Sequence, residues 1–107
     1  MLFLLKSTPK KSNPQPPSAE YLEAVVKEWE TVIDYKKEGK VIEVFCYADR
    51  AGAFSIWEVE TRDELDKTVS RLPFYPFAEF EIIQLITAEE ILVKAKNALD
   101  SLKSENE

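Results

Sequence analysis

Leu72-Pro73-Phe74-Tyr75-Pro76-Phe77 lies between a helix-like segment and a strand-like one, and its reading decides how the chain folds. The two prolines exclude helix and remove two backbone donors. Three aromatic rings in so short a connection are costly to leave in water, since each buries about 150–250 Å² when covered. The stretch is therefore expected to be pinned, either against the core as a buried corner or against a second subunit.

Outward from this corner, the pattern alternates between strand and helix periods. Residues 2–7 read as a short strand apolar on both faces, as expected of a central strand covered on both sides. Residues 8–17 hold Pro9, Pro14, Pro16 and Pro17 with Lys10 and Lys11. They predict an extended loop with a local basic rim, either simply solvated or attractive to an anionic ligand. Ser18 is placed to cap a helix over 21–37, with Leu22, Val25, Val26, Trp29, Ile33 and Lys36 along its stripe. Tyr21, Glu28, Val32 and Tyr35 fall along the edge of that stripe, and Gly39 is a helix stop.

Residues 41–48 and 53–60 predict two strands joined by a hairpin at Asp49-Arg50-Ala51-Gly52. Thr61 with Glu64 forms a capping box for a short helix carrying Leu65, Val69 and Leu72. Residues 78–86 predict a fourth strand. Thr87 with Glu90 caps a last helix through about Leu102, and the tail from Lys103 to Glu107 is expected to fray.

The fold class is thus α+β: a ferredoxin-like βαββαβ chain with a four-stranded antiparallel sheet and two helices on one face, plus a C-terminal helix. Residues 1–107 read as a single domain, with 1–86 as core and 87–107 as a helical extension. Strands apolar on both faces under helices that cover one face leave an apolar patch, which predicts face-to-face packing of two sheets in a homodimer. The alternatives are a last helix that folds back over that face, or one exchanged with a partner.

Composition narrows the function classes. The net charge is −6, with 14 Lys and Arg against 20 Asp and Glu, which argues against nucleic acid or an anionic membrane as the main partner. The single cysteine, Cys46, allows no intrachain disulfide, so a reducing, cytoplasmic setting is expected, and the apolar start Met1 to Leu5 is too short for a membrane span or a signal-peptide core. With no histidine and one cysteine, Cys46, neither a zinc site nor a Ser/Cys–His arrangement is expected. Cys46 reads as a buried inert thiol.

Gly52-Ala53-Phe54-Ser55-Ile56-Trp57-Glu58-Val59-Glu60, then Asp63-Glu64-Leu65, the aromatic corner and Glu81 together resemble the muconolactone isomerase family over roughly residues 1–86, as does the opening Met1-Leu2-Phe3. The resemblance implies a dimeric α+β barrel, often assembled into larger rings. It also implies a proton shift in a small unsaturated lactone without metal or organic cofactor. The family carries a basic residue in the second strand and a histidine near the hairpin; here the strand reads Val44-Phe45-Cys46-Tyr47, and Arg50 stands in the turn.

A proton shift beside a carbonyl needs a base and a group that stabilises enolate charge. Glu28 aligns with an acidic position of that family and is the candidate catalytic base, with a solvated helix carboxylate as the competing reading. Tyr47, Arg50 and Lys6 are candidates for binding a carboxylate or steadying an oxyanion. Trp57 is a candidate stacking surface, more simply read as core, and Glu43 reads as an edge-strand charge. The expected ligand is a small anionic molecule, the expected partner a second copy of the chain. A non-catalytic ligand-binding or assembly module on the same scaffold is the alternative, and a cofactor-independent oxygenase is a third reading.

Overall fold

β1 (Leu2–Pro9) is the strand about which the sheet is built: in the computed structural model, which describes residues 1–105, the order is β2-β3-β1-β4 with every neighbour antiparallel. The remaining elements are α1 (Ala19–Glu38), β2 (Val41–Cys46), β3 (Ala53–Glu58), α2 (Arg62–Ser70), β4 (Ala78–Leu85) and α3 (Ala88–Glu105). This is the ferredoxin-like βαββαβ arrangement predicted from the sequence, followed by one helix.

The local signals act as read. The Ser18 side chain accepts from the Tyr21 N–H at 3.1 Å, and Gly39 ends α1 in the left-handed region at φ 86°. Thr61 accepts from the Glu64 N–H at 3.1 Å, while the Glu64 carboxylate accepts from the Glu60 N–H. Thr87 and Glu90 make the corresponding pair at the start of α3. α3 continues beyond Leu102 to Glu105, so the expected fraying from Lys103 is not seen up to that point; residues 106–107 lie outside the described residues.

Cross-strand pairing puts Phe3, Leu5, Val41, Val44, Trp57, Phe80 and Ile82 on the helix-facing side. There they meet Val32 of α1 and Leu65, Val69 and Leu72 of the α2 region in one core. Leu2, Leu4, Phe54, Ile56, Ile83 and Leu85 point to the other side, where no helix covers them. Both faces of the sheet are therefore apolar, and one of them is open.

Four expectations need correction. β1 runs two residues further than predicted, because Thr8 and Pro9 still pair with Glu79 and Ala78. A register shift between Val41 and Glu43 puts Val41 and Val44 on the same face and leaves Ile42 exposed. Of the stripe expected along α1, Leu22, Val26 and Ile33 are exposed at 48–55%, while Val25 and Trp29 are half-buried and Trp29 packs on the core. The edge residues Tyr21, Glu28, Val32 and Tyr35 face the body instead. The last correction concerns Cys46, which is exposed because β2 ends there and opens into the hairpin.

α3 neither folds back over the open sheet face nor packs on the helix layer. All of its residues are exposed, and the molecule measures 69 × 28 × 24 Å. Its radius of gyration is 18.6 Å, against about 13 Å for a compact chain of some 100 residues.

Candidate functional site

The aromatic corner closes one end of the helix layer. Leu72 is in the core, and Phe74 and Phe77 meet the Tyr21 ring edge-on at 5.5 and 5.4 Å. Pro76 sits in a short 3₁₀ turn over Tyr75–Phe77, where its fixed φ is compatible and its missing N–H leaves no ladder bond unmade. Tyr75 is exposed and stacks on Phe80. The proline-rich loop is tied to the same corner: the Lys10 N–H and the buried Asn13 side chain both donate to the Phe77 carbonyl, at 2.9 and 2.8 Å. The corner is thus a packed junction rather than a free loop.

Between this junction, α1 and the β2–β3 hairpin lies a cavity of about 280 Å³. Its walls are apolar and aromatic, from Pro9, Tyr21, Val25, Trp29, Tyr47 and Phe74, with Glu28 and Arg50 as its charged lining groups. The hairpin reaches this wall through Gly52. At φ 125° it adopts a conformation that side chains avoid, and a Cβ there would lie 2.9 Å from the Ser7 carbonyl and 3.0 Å from the Tyr47 ring. Only glycine lets the turn lie this close to both the Ser7 carbonyl and the Tyr47 ring.

Glu28 is the buried ionisable group of the site, 8% exposed. Its Oε1 accepts from the Phe74 N–H at 3.0 Å, so the corner orients the carboxylate. Oε2 has no hydrogen bond among the described residues. Since no fully buried side-chain oxygen or nitrogen there lacks a partner, Oε2 must retain contact with accessible space, and Glu28 lines the cavity. Burial raises the Glu28 pKa above its ordinary value, and the bond from Phe74 offsets part of that rise. A carboxylate shifted this way is a better base near neutral pH than an ordinary glutamate, and one oxygen is available for a ligand.

Arg50 lies at the exposed rim, forked onto Asp49 through Nε and Nη2 at 3.2 and 3.1 Å. That bond lowers the Asp49 pKa. Arg50 also borders a wider hollow of about 710 Å³ on the other side of Tyr47, together with Lys6, Glu79 and Glu81.

The structure therefore brings together three of the residues singled out from the sequence: Glu28, Tyr47 and Arg50. Lys6 is not among them, because its alternation along β1 sends it to the open face and into the wider hollow. Trp57 is not either. It is 0% exposed in the core, and its indole N–H donates to Ser55 Oγ at 2.7 Å, so it presents no ring to a ligand. Glu43 pairs with Lys36 at 3.4 Å on the edge strand. Sequence reasoning missed Val25 and Cys46 as lining residues and gave Trp29 to core or interface. Helical spacing from Glu28 would have found Val25, three residues away on the same side of the helix. Among the described residues there is no cluster of three or more potential metal ligands and no helix long and apolar enough to cross a membrane.

The geometry can be set beside known proteins. The sequence profile of the family described as muconolactone delta-isomerase matches residues 1–89. Among solved structures, a muconolactone isomerase superimposes with a TM-score of 0.68 at 24% identity, over 81% of this chain and 90% of its own. A 5-chloro-2-hydroxyhydroquinone dehydrochlorinase from Burkholderia phenoliruptrix, in complex with 2,5-dihydroxybenzoquinone, superimposes with a TM-score of 0.59 at 19% identity, over 84% and 98%. At these identities both likenesses speak for the fold. No curated protein matches the chain.

Proposed function

This chain belongs to the muconolactone delta-isomerase family, and from that premise we propose that its cavity binds a small, flat, unsaturated anion and moves a proton within it, with Glu28 as the base. The observation that carries the reading is the Glu28 carboxylate: buried in an aromatic cavity, fixed by the Phe74 N–H through one oxygen and open through the other.

The reaction needs nothing beyond this chain. Glu28 takes a proton from the saturated carbon attached to the double bond that is conjugated with the lactone carbonyl, and the electron pair passes into that system as a dienolate. The protonated Glu28, whose open oxygen lets its proton exchange with water, delivers a proton at the other end of the conjugated system, so the double bond moves and the composition is unchanged. Tyr47 and Arg50, on the rim side, are placed to hold the ligand's carboxylate or the developing enolate oxygen. At about 280 Å³ the cavity lies at the lower end of the roughly 300–1,000 Å³ typical of ligand pockets, which favours a compact ring over an extended chain.

The open sheet face supports a second part of the reading. Leu2, Leu4, Phe54, Ile56 and Ile83 form an apolar surface that a second copy of the same sheet would cover, giving a dimeric α+β barrel. The absence of histidine favours a competing use of the same cavity, ligand binding without turnover.

Ultraviolet assay of muconolactone with wild type and Glu28→Gln tests the reading. Turnover by wild type that drops at least about 100-fold in the variant supports the base assignment. Undiminished turnover in Glu28→Gln discards Glu28 as the base. Ligand affinity in both proteins with turnover in neither assigns the cavity to binding alone.

A further inference from the structure

α3 carries an apolar surface that nothing in the subunit covers, and the family match ends at its first turn. At 100° per residue, Ala88, Ile91, Leu92, Ala95, Ala98, Leu99 and Leu102 fall within one arc about 120° wide. Ile91, Leu92, Leu99 and Leu102 are 51–57% exposed. An isolated helix of 18 residues is marginal in water, so this arc needs a surface to cover it.

A second bare stripe of matching kind runs along the outer side of α1. Leu22, Val26 and Ile33 recur at helical spacing and are as exposed as the residues of α3, while Glu28 and Val32 of the same helix face the body. The two helices also match in length: 20 and 18 residues correspond to about 30 and 27 Å.

The charges beside the stripes are complementary. Lys94, Lys96 and Lys103 border the arc of α3, against two acids, Glu89 and Glu105. Glu23, Glu30 and Asp34 border one side of the α1 stripe, with Lys27 and Lys37 among them. Two α3 helices packed together would bring lysines face to face, whereas α3 on α1 sets lysines beside carboxylates.

Connectivity decides which α1 is reached. α1 lies against β2 at one edge of the sheet, and α3 leaves β4 at the opposite edge through a two-residue link, Ile86-Thr87. α3 cannot lie on the outer side of its own α1 without crossing the whole helix layer. We infer that α3 of one copy docks along the Leu22–Val26–Ile33 stripe of α1 in a second copy, and that the exchange is reciprocal. Each subunit then covers the other's two bare stripes, and the contact obeys a two-fold axis. This inference rests on the extension and the outer side of α1, and is independent of the reading of the cavity.

The test uses two full-length variants in a Cys46→Ser background, one carrying Val26→Cys and the other Ala98→Cys, each confirmed as folded by circular dichroism. They are mixed, oxidised and weighed by mass spectrometry. The expected main product is the mixed Cys–Cys dimer, which differs in mass from either homodimer. Glu23→Lys with Glu30→Lys on the Val26→Cys copy lowers its yield about tenfold, and Lys96→Glu with Lys103→Glu on the other copy restores it. An Ala98→Cys homodimer as the main product overturns the inference in favour of paired α3 helices. So does the absence of any mixed disulfide between folded copies. An intramolecular disulfide in a chain carrying both cysteines, formed at high dilution, overturns it as well.

Discussion

The corner at residues 72–77 and the helix α3 are both too apolar to stand in water, yet they end up in opposite situations. The corner is anchored within its own subunit: Leu72 in the core, Phe74 and Phe77 on Tyr21, and the Phe77 carbonyl bonded by Lys10 and Asn13, with Tyr75 left exposed. α3 has an arc of seven apolar residues and buries none of them. Apolar patterning states that a surface has to be covered, but where the cover comes from depends on topology. The corner lies between two elements already held in the sheet and helix layers, so its neighbours are supplied by its own chain. α3 follows an edge strand through two residues, and its own chain supplies nothing.

The comparison can be broken most forcefully at the packed end. Leu72→Ala, at a position 3% exposed, is expected to lower unfolding stability by about 2–5 kcal/mol in urea titration. A truncation at α3 such as Leu99→Ala is expected to change the unfolding midpoint of the dilute monomer by less than about 0.5 kcal/mol, since nothing in the subunit packs on it. Equal losses at the two sites would abolish the contrast.

Gly52→Ala comes next. The positive φ and the 2.9 Å approach to the Ser7 carbonyl predict a loss of about 1–3 kcal/mol by thermal unfolding, with weakened ligand affinity because Tyr47 moves with the turn. Asn13→Ala has a smaller effect. It removes one hydrogen bond to the Phe77 carbonyl and is expected to cost about 0.5–1.5 kcal/mol.

The smallest expected effect on stability is the most telling about Glu28. Its pKa is raised in the folded state, so the native protein holds this proton more tightly than the unfolded chain does. The resulting stability is fully present below the unfolded value of 4.5 and is lost as pH rises through the folded value. Glu28→Gln keeps an acceptor for the Phe74 N–H and removes this pH dependence. Its melting temperature at neutral pH is expected to be no lower than that of wild type, and the gap between the two should narrow on acidification. A melting temperature below wild type at neutral pH would mean that the ionised carboxylate stabilises the fold.

Much of this was legible in the sequence because it depends on neighbours within four residues. The Ser18, Thr61 and Thr87 caps, the strand alternation and the proline-aromatic corner are such signals, and each element formed where they placed it. The order of elements then leaves few topologies, so the ferredoxin-like arrangement followed. What failed depends on distant partners. α1 is apolar around more than half its circumference, and spacing alone could not say whether the side of Leu22 or the side of Val32 meets the sheet. The register shift at Val41 and Glu43 flips part of β2 and is set by β3. Lys6 and Trp57 are candidates by residue type alone, and alternation across the sheet puts Lys6 on the open face and Trp57 in the core, apart from the cavity of Glu28. Glu28, read from the edge of the helical stripe and the family resemblance, lines the cavity, with its orientation set by a corner 46 residues away.

The central claim is that Glu28 exchanges a proton with a carbon of a ligand held in this cavity. The most direct measurement is deuterium incorporation from D₂O into muconolactone, followed by proton NMR, for wild type and Glu28→Gln at equal concentration. This reports the proton transfer even where the equilibrium hides net turnover. The account predicts exchange at the conjugated carbon with wild type, and a rate with Glu28→Gln at the level of buffer. Equal exchange in the two proteins would contradict it.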